Sequence, residues 1–362
     1  MTEPTADNTT DLIVRKVGRA GRITLNRPKA LNALTYDQTL AIERTIDSWS
    51  DDPEVQLIIL DGTGERALCA GGDVLALYEK RDDGGDFAAQ FWRDEYRLNA
   101  KIGRYPKPFI AIMDGIVMGG GIGLSGHASH RIVTERSALA MPETGIGLVP
   151  DVGGMWLLAN APGHLGEYLG LLGERMAAGD AIYAGFADTF VSAERVEELI
   201  AELVDPAGDP IGVCIASLAE APPSVVHAAR QDEIDLIFGR ETLEAVVEGL
   251  TSSQSDWAAT ALKTLGARSP LALKLTLAAV RRARQFKSLE EALNLEYRLT
   301  CRLFVHGEFI EGIRALLIDK DKTPKWRPGA IESVSAEMVD RFLAPLTERE
   351  ELGLEPSHRD VR

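Results

Sequence analysis

The sequence predicts an α/β fold: stacked ββα-type units followed by a helical C-terminal region. Three observations carry this. Short β-rich segments alternate with helical ones up to about residue 150, and each pair is joined through glycines. From about Asp151 onward the strand signal vanishes and helical periodicity takes over. The balance of 45% hydrophobic to 26% charged residues over 362 residues is that of a globular chain able to bury a large core without disulfides.

Asp11 to Val17 and Gly21 to Leu25 are short and β-rich with Gly18 between them, and they read as a hairpin. A turn at Asn26-Arg27-Pro28-Lys29 leads to an amphipathic helix over Tyr36–Trp49, which Thr35 is placed to cap. Val55 to Leu60 is an apolar run suited to a buried strand, ending in the loop Asp61-Gly62-Thr63-Gly64. Ala67 to Asp73 is a glycine turn that opens a helix, and Phe87 to Ile102 is helical. Pro108 to Met113 is a second buried strand, followed by Gly115, the run Gly119-Gly120-Gly121-Ile122-Gly123, and a third strand over Arg131–Thr134. Helices are expected over 193–203, 241–250, 271–286, 289–305 and 309–318, punctuated by Pro206, Pro210, Pro222, Pro223 and Pro270. The organisation expected is a core over 11–204, a helical region over 205–345, and mobile termini at 1–10 and 346–362.

Composition excludes several classes. A formal net charge of -16 argues against nucleic acid as a partner, because phosphate binding needs a basic face. No apolar stretch is long enough to span a bilayer, so no membrane partner is expected, and the start shows no signal peptide. Cys69, Cys214 and Cys301 are sparse and far apart, which suits a reducing, cytoplasmic setting. The six histidines, His127, His130, His164, His227, His306 and His358, show no metal-ligand spacing, so no metal is expected. Ser125 does not sit in a GxSxG elbow.

Two places can hold chemistry. The turns Ala70-Gly71-Gly72-Asp73 and Gly119-Gly120-Gly121 each follow apolar sequence and open a helix. Backbone N–H groups there lack an intrahelical acceptor, and a pair of them forms an oxyanion hole. Plain helix–strand packing explains the glycines equally well. Neither turn matches GxxxxGK[ST] or GxGxxG with its downstream acid. The second place is the loop carrying Glu143 and Asp151, rich in proline and glycine and flanked by apolar residues. Glu143 can be a first-turn acid and Asp151 an N-cap; two carboxylates on one apolar loop also suit acid/base or nucleophilic work. Asp151, between Pro150 and Val152, is expected to have a raised pKa while Glu143 stays ionised.

Six segments taken in order resemble a known family: LNRPKALNAL (Leu25–Leu34), ALCAGGDV (Ala67–Val74), FWRDEYRLN (Phe91–Asn99), MDGIVMGGGIGLS (Met113–Ser125), AMPETGIGLVPDVGG (Ala140–Gly154) and FIEGIRALLIDKDKTPKW (Phe309–Trp326). They are similar to the crotonase (enoyl-CoA hydratase/isomerase) superfamily and, within it, most similar to the 3-hydroxyisobutyryl-CoA hydrolases. The resemblance runs from about Leu12 to Pro328. It implies a crotonase-like (ClpP/crotonase) spiral of ββα units, an acyl-CoA substrate with no separate cofactor, and trimers or dimers of trimers.

For individual residues, the resemblance implies that the N–H groups of Ala70 and Gly120 form the oxyanion hole. Coenzyme A, part of the substrate, would lie along Lys29, Ala30, Leu31 and Ala33 and along Ala70, Gly71, Gly72 and Asp73. A solvated surface lysine is the other reading of Lys29. Hydratases carry a second glutamate where this chain has Gly123, and typically a glycine where it has Asp151. A lone Glu143 with Asp151 is the hydrolase pattern. The expected reaction is thioester hydrolysis with Glu143 and Asp151 catalytic, and with Glu95 and Gly119 joining Gly120, Glu143 and Asp151 against the acyl part. An enoyl-CoA hydratase/isomerase and a non-catalytic acyl-CoA-binding scaffold are the alternatives.

Overall fold

The computed structural model describes residues 10–356; most of the terminal stretch expected to fray, and the last residues of the expected mobile tail, lie outside them. The chain forms two compact units, each assembled from three stretches. The first takes the chain up to Gly72, then Leu98–Leu139 and Met176–Val226; the second takes Asp73–Arg97, Ala140–Arg175 and the chain from His227 onward. The single boundary expected near residues 204–210 does not separate them. Its proline- and glycine-rich sequence is only the loop joining helices Val196–Val204 and Ile211–Leu218, both in the first unit.

The first unit is built on a six-stranded sheet. In chain order the strands of the unit are β1 (Leu12–Val17), β2 (Ala20–Leu25), β3 (Leu57–Gly62), β4 (Ala67–Cys69), β5 (Phe109–Met113), β6 (Ile116–Met118), β7 (His130–Val133), β8 (Ala138–Ala140, which runs to the unit's edge) and β9 (Thr189–Phe190). The main sheet has the order β1-β2-β3-β5-β7-β9, and β4-β6-β8 form a smaller one. The hairpin pairs Leu12 with Leu25 through Val17 with Ala20, antiparallel as read from the sequence. The remaining neighbours in the main sheet are parallel, which explains their continuous apolar runs: a strand buried on both faces has no polar side to show. β3 begins and ends two residues later than expected, because its parallel pairing with β2 carries on to Leu25 opposite Gly62.

One face of this sheet (Ala20, Leu57, Ile59, Ile110, Ile112, Ile132) packs beneath Leu199, Leu203, Ile215 and Leu218 of the two helices just named. Helix Tyr36–Ser50 starts as expected, with the Thr35 hydroxyl accepting the Gln38 N–H and the Gln38 side chain returning the bond to the Thr35 N–H.

The second unit is helical, apart from its share of β8 and a few 3₁₀ turns. Its longest element wholly inside the unit, Leu289–His306, ends in the left-handed Gly307. The stretch beyond Pro345, expected to be mobile, is docked on this helix as far as it is described. Glu351 pairs with Arg298 at 2.8 Å, and Leu354 exchanges hydrogen bonds with the Asn294 amide at 2.9 and 3.0 Å. Leu352 is buried. Charge density at the end of a sequence gave no sign of these partners.

Candidate active site

In the first unit, loop 27–33 carries four of the residues expected to line coenzyme A. Lys29 and Ala30 are exposed on a 3₁₀ turn, and Leu31 and Ala33 are half-buried. The loop is held by Asn32, which sequence reasoning missed. Its Oδ1 accepts the Arg27 N–H at 2.8 Å, and its Nδ2 donates to the carbonyls of Thr63 at 3.1 Å and Ala67 at 2.8 Å. A buried carboxamide with these bonds fixes the loop against β4, and the left-handed φ of 54° at Asn32 is one that asparagine tolerates.

The two glycine turns open helices, as expected: Asp73 precedes Val74–Glu79 and Gly119 precedes Gly120–Ser125. The choice between packing and function resolves residue by residue. A Cβ on Gly121 would stand 2.3 Å from the Cys69 carbonyl, so that glycine is needed for packing. Gly71 has φ +123° and Gly119 φ +46°, so backbone conformation requires glycine at both. Gly120 is the first residue of its helix, and its N–H has no intrahelical acceptor.

Ala70 departs from expectation. Its N–H already donates to the Leu31 carbonyl at 3.0 Å, so it is not the open donor the resemblance implies. It can serve an oxyanion only by sharing that proton between two acceptors. Of the two expected donors, Gly120 is thus the one whose N–H has no intrahelical acceptor. Gly120→Val is expected to lower kcat/KM by about 10²-fold in protein that folds normally. Equal kcat/KM would show that this turn only packs.

The carboxylates lie in the second unit. Glu95 sits on the helix Asp86–Gly103, Glu143 on the 3₁₀ turn Glu143–Ile146, and Asp151 just before helix Gly154–Asn160. All three are at most 5% exposed, and one oxygen each of Glu95 and Glu143 finds no hydrogen-bond partner among the described residues. Asp151 is the electrostatic hub. Burial first, and the Asp151 charge second, push the carboxyls of Glu95 and Glu143 well above the ordinary range. Burial also lifts Asp151 itself to about 7, against the pull of a hydrogen bond from Tyr96. The raised Asp151 matches expectation. For Glu143, expected to stay ionised, desolvation and the Asp151 charge raise the carboxyl, while the backbone and Arg268 draw it back.

Sequence reasoning missed the partners that hold Asp151. The Tyr96 hydroxyl donates to Asp151 Oδ2 at 2.7 Å. Asp151 is not the N-cap: Gly153 holds that position, and the N–H groups of Gly153 and Met155 are accepted by Glu296. Glu296 could have been found as an acid inside an apolar stripe, since Ala292, Leu293 and Leu299 share its helix face. Val152, β-branched, is held at φ +54°, a conformation that costs about 1–3 kcal/mol.

A pH dependence follows. Asp151 holds its proton more tightly folded than at its ordinary value of 3.8, so the stability this contributes is full below about that pH and is lost as pH rises through about 7. Asparagine has no such proton to lose. Between pH 4 and 8, the melting temperature of Asp151→Asn should therefore rise relative to wild type by several degrees. A pH-independent difference between the two would contradict the raised pKa.

A cavity of ≈ 780 Å³ in the first unit, bordered by Arg22, Asp61, Asp114 and Arg136, contains none of the expected site residues. Arg22 pairs with Asp61 and Arg136 with Asp114. It is not the candidate site.

Residues 20–343 match the profile of the enoyl-CoA hydratase/isomerase family. The chain belongs to that family, the crotonase superfamily. It is 41% identical to a mitochondrial 3-hydroxyisobutyryl-CoA hydrolase of Danio rerio, over 94% of this chain and 91% of that one. To the human protein of the same description it is 39% identical, over 94% and 90%. Among solved structures, an enoyl-CoA hydratase from Rhodobacter sphaeroides 2.4.1 is 47% identical with a TM-score of 0.90, covering 95% of this chain and all (100%) of that one. A carnitinyl-CoA dehydratase from Mycobacterium thermoresistibile is 41% identical, also with a TM-score of 0.90, covering 95% and 98%. The expected crotonase-like α/β fold is thereby shown.

Proposed function

We propose that this chain hydrolyses an acyl-CoA thioester, 3-hydroxyisobutyryl-CoA, to 3-hydroxyisobutyrate and CoA, a step of valine breakdown. The observation that carries the reading is the composition of the carboxylate set. A hydratase of this superfamily needs two glutamates against the double bond; this chain offers Gly123 at one of those positions and a buried Asp151 as an addition. The curated hydrolases, similar over nearly their full length, support it. The neighbours described as a hydratase and a dehydratase favour the alternative, enoyl-CoA hydratase/isomerase chemistry.

In the proposed reaction the Gly120 N–H, with Ala70 sharing its proton, stabilises the thioester oxygen as it gains charge. Glu143 either attacks the carbonyl to form an anhydride or takes a proton from the attacking water. The C–S bond then breaks, and Asp151 gives its proton to the departing thiolate; on the anhydride route water then attacks the anhydride and gives a proton to the Asp151 carboxylate, which frees the acid product and restores Glu143. Glu95 contacts the substrate hydroxyl and Gly119 borders the acyl part. Lys29, Ala30, Leu31 and Ala33, with Ala70, Gly71, Gly72 and Asp73, line the coenzyme A moiety. No metal or redox group takes part. The chain is proposed to act as a homotrimer or hexamer, with no nucleic-acid or membrane partner; among the described residues no helix is long and apolar enough to cross a membrane. A cytoplasmic setting is proposed on cysteine usage; the curated relatives are described as mitochondrial.

The test reads free thiol released from 3-hydroxyisobutyryl-CoA beside enoyl absorbance with an enoyl-CoA. Thiol release supports the hydrolase. A change in enoyl absorbance without thiol identifies a hydratase, and neither signal leaves a non-catalytic acyl-CoA-binding scaffold.

A further inference from the structure

Asp151 lies on a turn that its own backbone does not favour. Val152 is held at φ +54° and Gly153 follows at +82°. Such a turn persists only where its surroundings over-determine it. Glu296 supplies the constraint. Its Oε2 accepts the Gly153 N–H at 2.7 Å and its Oε1 accepts the Met155 N–H at 2.8 Å, so both carboxylate oxygens are bound to the turn that follows Asp151.

Glu296 is wholly buried on helix Leu289–His306. One helical turn further along the same face, the Thr300 hydroxyl lies 3.4 Å from the Tyr96 oxygen that donates to Asp151. The helix thus reaches Asp151 by two routes, through the backbone of its turn and through the side chain of Tyr96. Capping alone does not call for this arrangement, because a neighbouring serine, threonine or asparagine satisfies a helix start without burying a carboxylate.

We propose that Glu296 is a positioning residue for Asp151: it holds the turn Asp151–Met155, and so the direction of the Asp151 carboxyl, without itself touching substrate. The inference rests on the hydrolase reading, in which Asp151 protonates the leaving thiolate.

Glu296→Gln keeps the shape but offers one oxygen in place of two and turns an amide N–H toward a backbone N–H. In folded protein, kcat for 3-hydroxyisobutyryl-CoA hydrolysis should fall about 10- to 10²-fold, with KM within about threefold of wild type. A role in capping alone would lower the melting temperature and leave kcat within twofold, which overturns the proposal. The same substitution in an Asp151→Asn background should cost nothing further, because its effect passes through Asp151. A full additional loss there overturns the proposal as well. If Glu296→Gln does not fold, Glu296→Asp keeps a carboxyl group with both oxygens at shorter reach, and it should show the same split at smaller size; wild-type kcat in that variant alongside a lowered melting temperature overturns the proposal. Absence of thiol release by the wild type fells the hydrolase reading and this inference together, whereas thiol release by the wild type with an unaffected Glu296→Gln fells the inference alone.

Discussion

Glu143→Gln is expected to fold like the wild type and to lose about 10²- to 10⁴-fold in turnover, the range over which one acid/base group contributes. The side chain is 5% exposed, so an isosteric amide preserves its packing, and Oε2 has no hydrogen-bond partner among the described residues that the amide would sacrifice. Stability should not fall: the substitution removes a carboxyl that burial and Asp151 already penalise when charged. What it deletes is the ability to attack a carbonyl or accept a proton, which both routes to hydrolysis require. The check is kcat beside melting temperature. A collapse of turnover with the melting temperature held or raised assigns the chemistry to Glu143, and near-wild-type hydrolysis sinks the assignment.

Asp151→Asn carries the second large effect and decides the subclass. The variant should bind acyl-CoA and fold, yet lose most thioesterase turnover, on the order of 10²-fold or more, because an amide cannot protonate a departing thiolate. The structure removes the main alternative. Had Asp151 capped the next helix, its loss would cost about 1 kcal/mol of stability and little rate. Gly153 occupies the N-cap and Glu296 takes the N–H groups of Gly153 and Met155, so little of that cost should appear. The Asp151 carboxyl faces Tyr96 instead, within hydrogen-bond reach, and is lifted by burial to about 7, where an acid can both hold a proton and release it. Wild-type hydrolysis of 3-hydroxyisobutyryl-CoA by this variant would falsify the role and remove the main support for a hydrolase over a hydratase.

The elements legible in the sequence were those whose signal is local. The hairpin, the Thr35 cap, the buried runs of β3 and β5, and the helices that follow both glycine turns each depend on neighbours a few residues away. β4, β6 and β8 were not, because three residues give too short a run for a period of two to register. Helix Leu165–Leu172 is buried on every side, and such a helix shows no stripe to read. In the candidate site Glu143, Asp151 and Glu95 could be named because each lies in a recognisable segment. Tyr96, one position along from Glu95, was not singled out, since only the fold reveals that its hydroxyl meets Asp151. The commitment of the Ala70 N–H to Leu31 was hidden for the same reason.

The order in which the second unit is written along the chain bears on how the protein is made. Glu95 and Tyr96 are synthesised early, Glu143 and Asp151 after an intervening stretch of the first unit, and Glu296 and Thr300 only near the end. A nascent chain thus exposes its buried acids before the helix that receives them has left the ribosome. Closing such distant contacts is slow compared with forming local ones. Incomplete chains lacking the helix that begins at Leu289 would expose apolar surface and invite chaperones, and a premature stop there should abolish the enzyme rather than trim it.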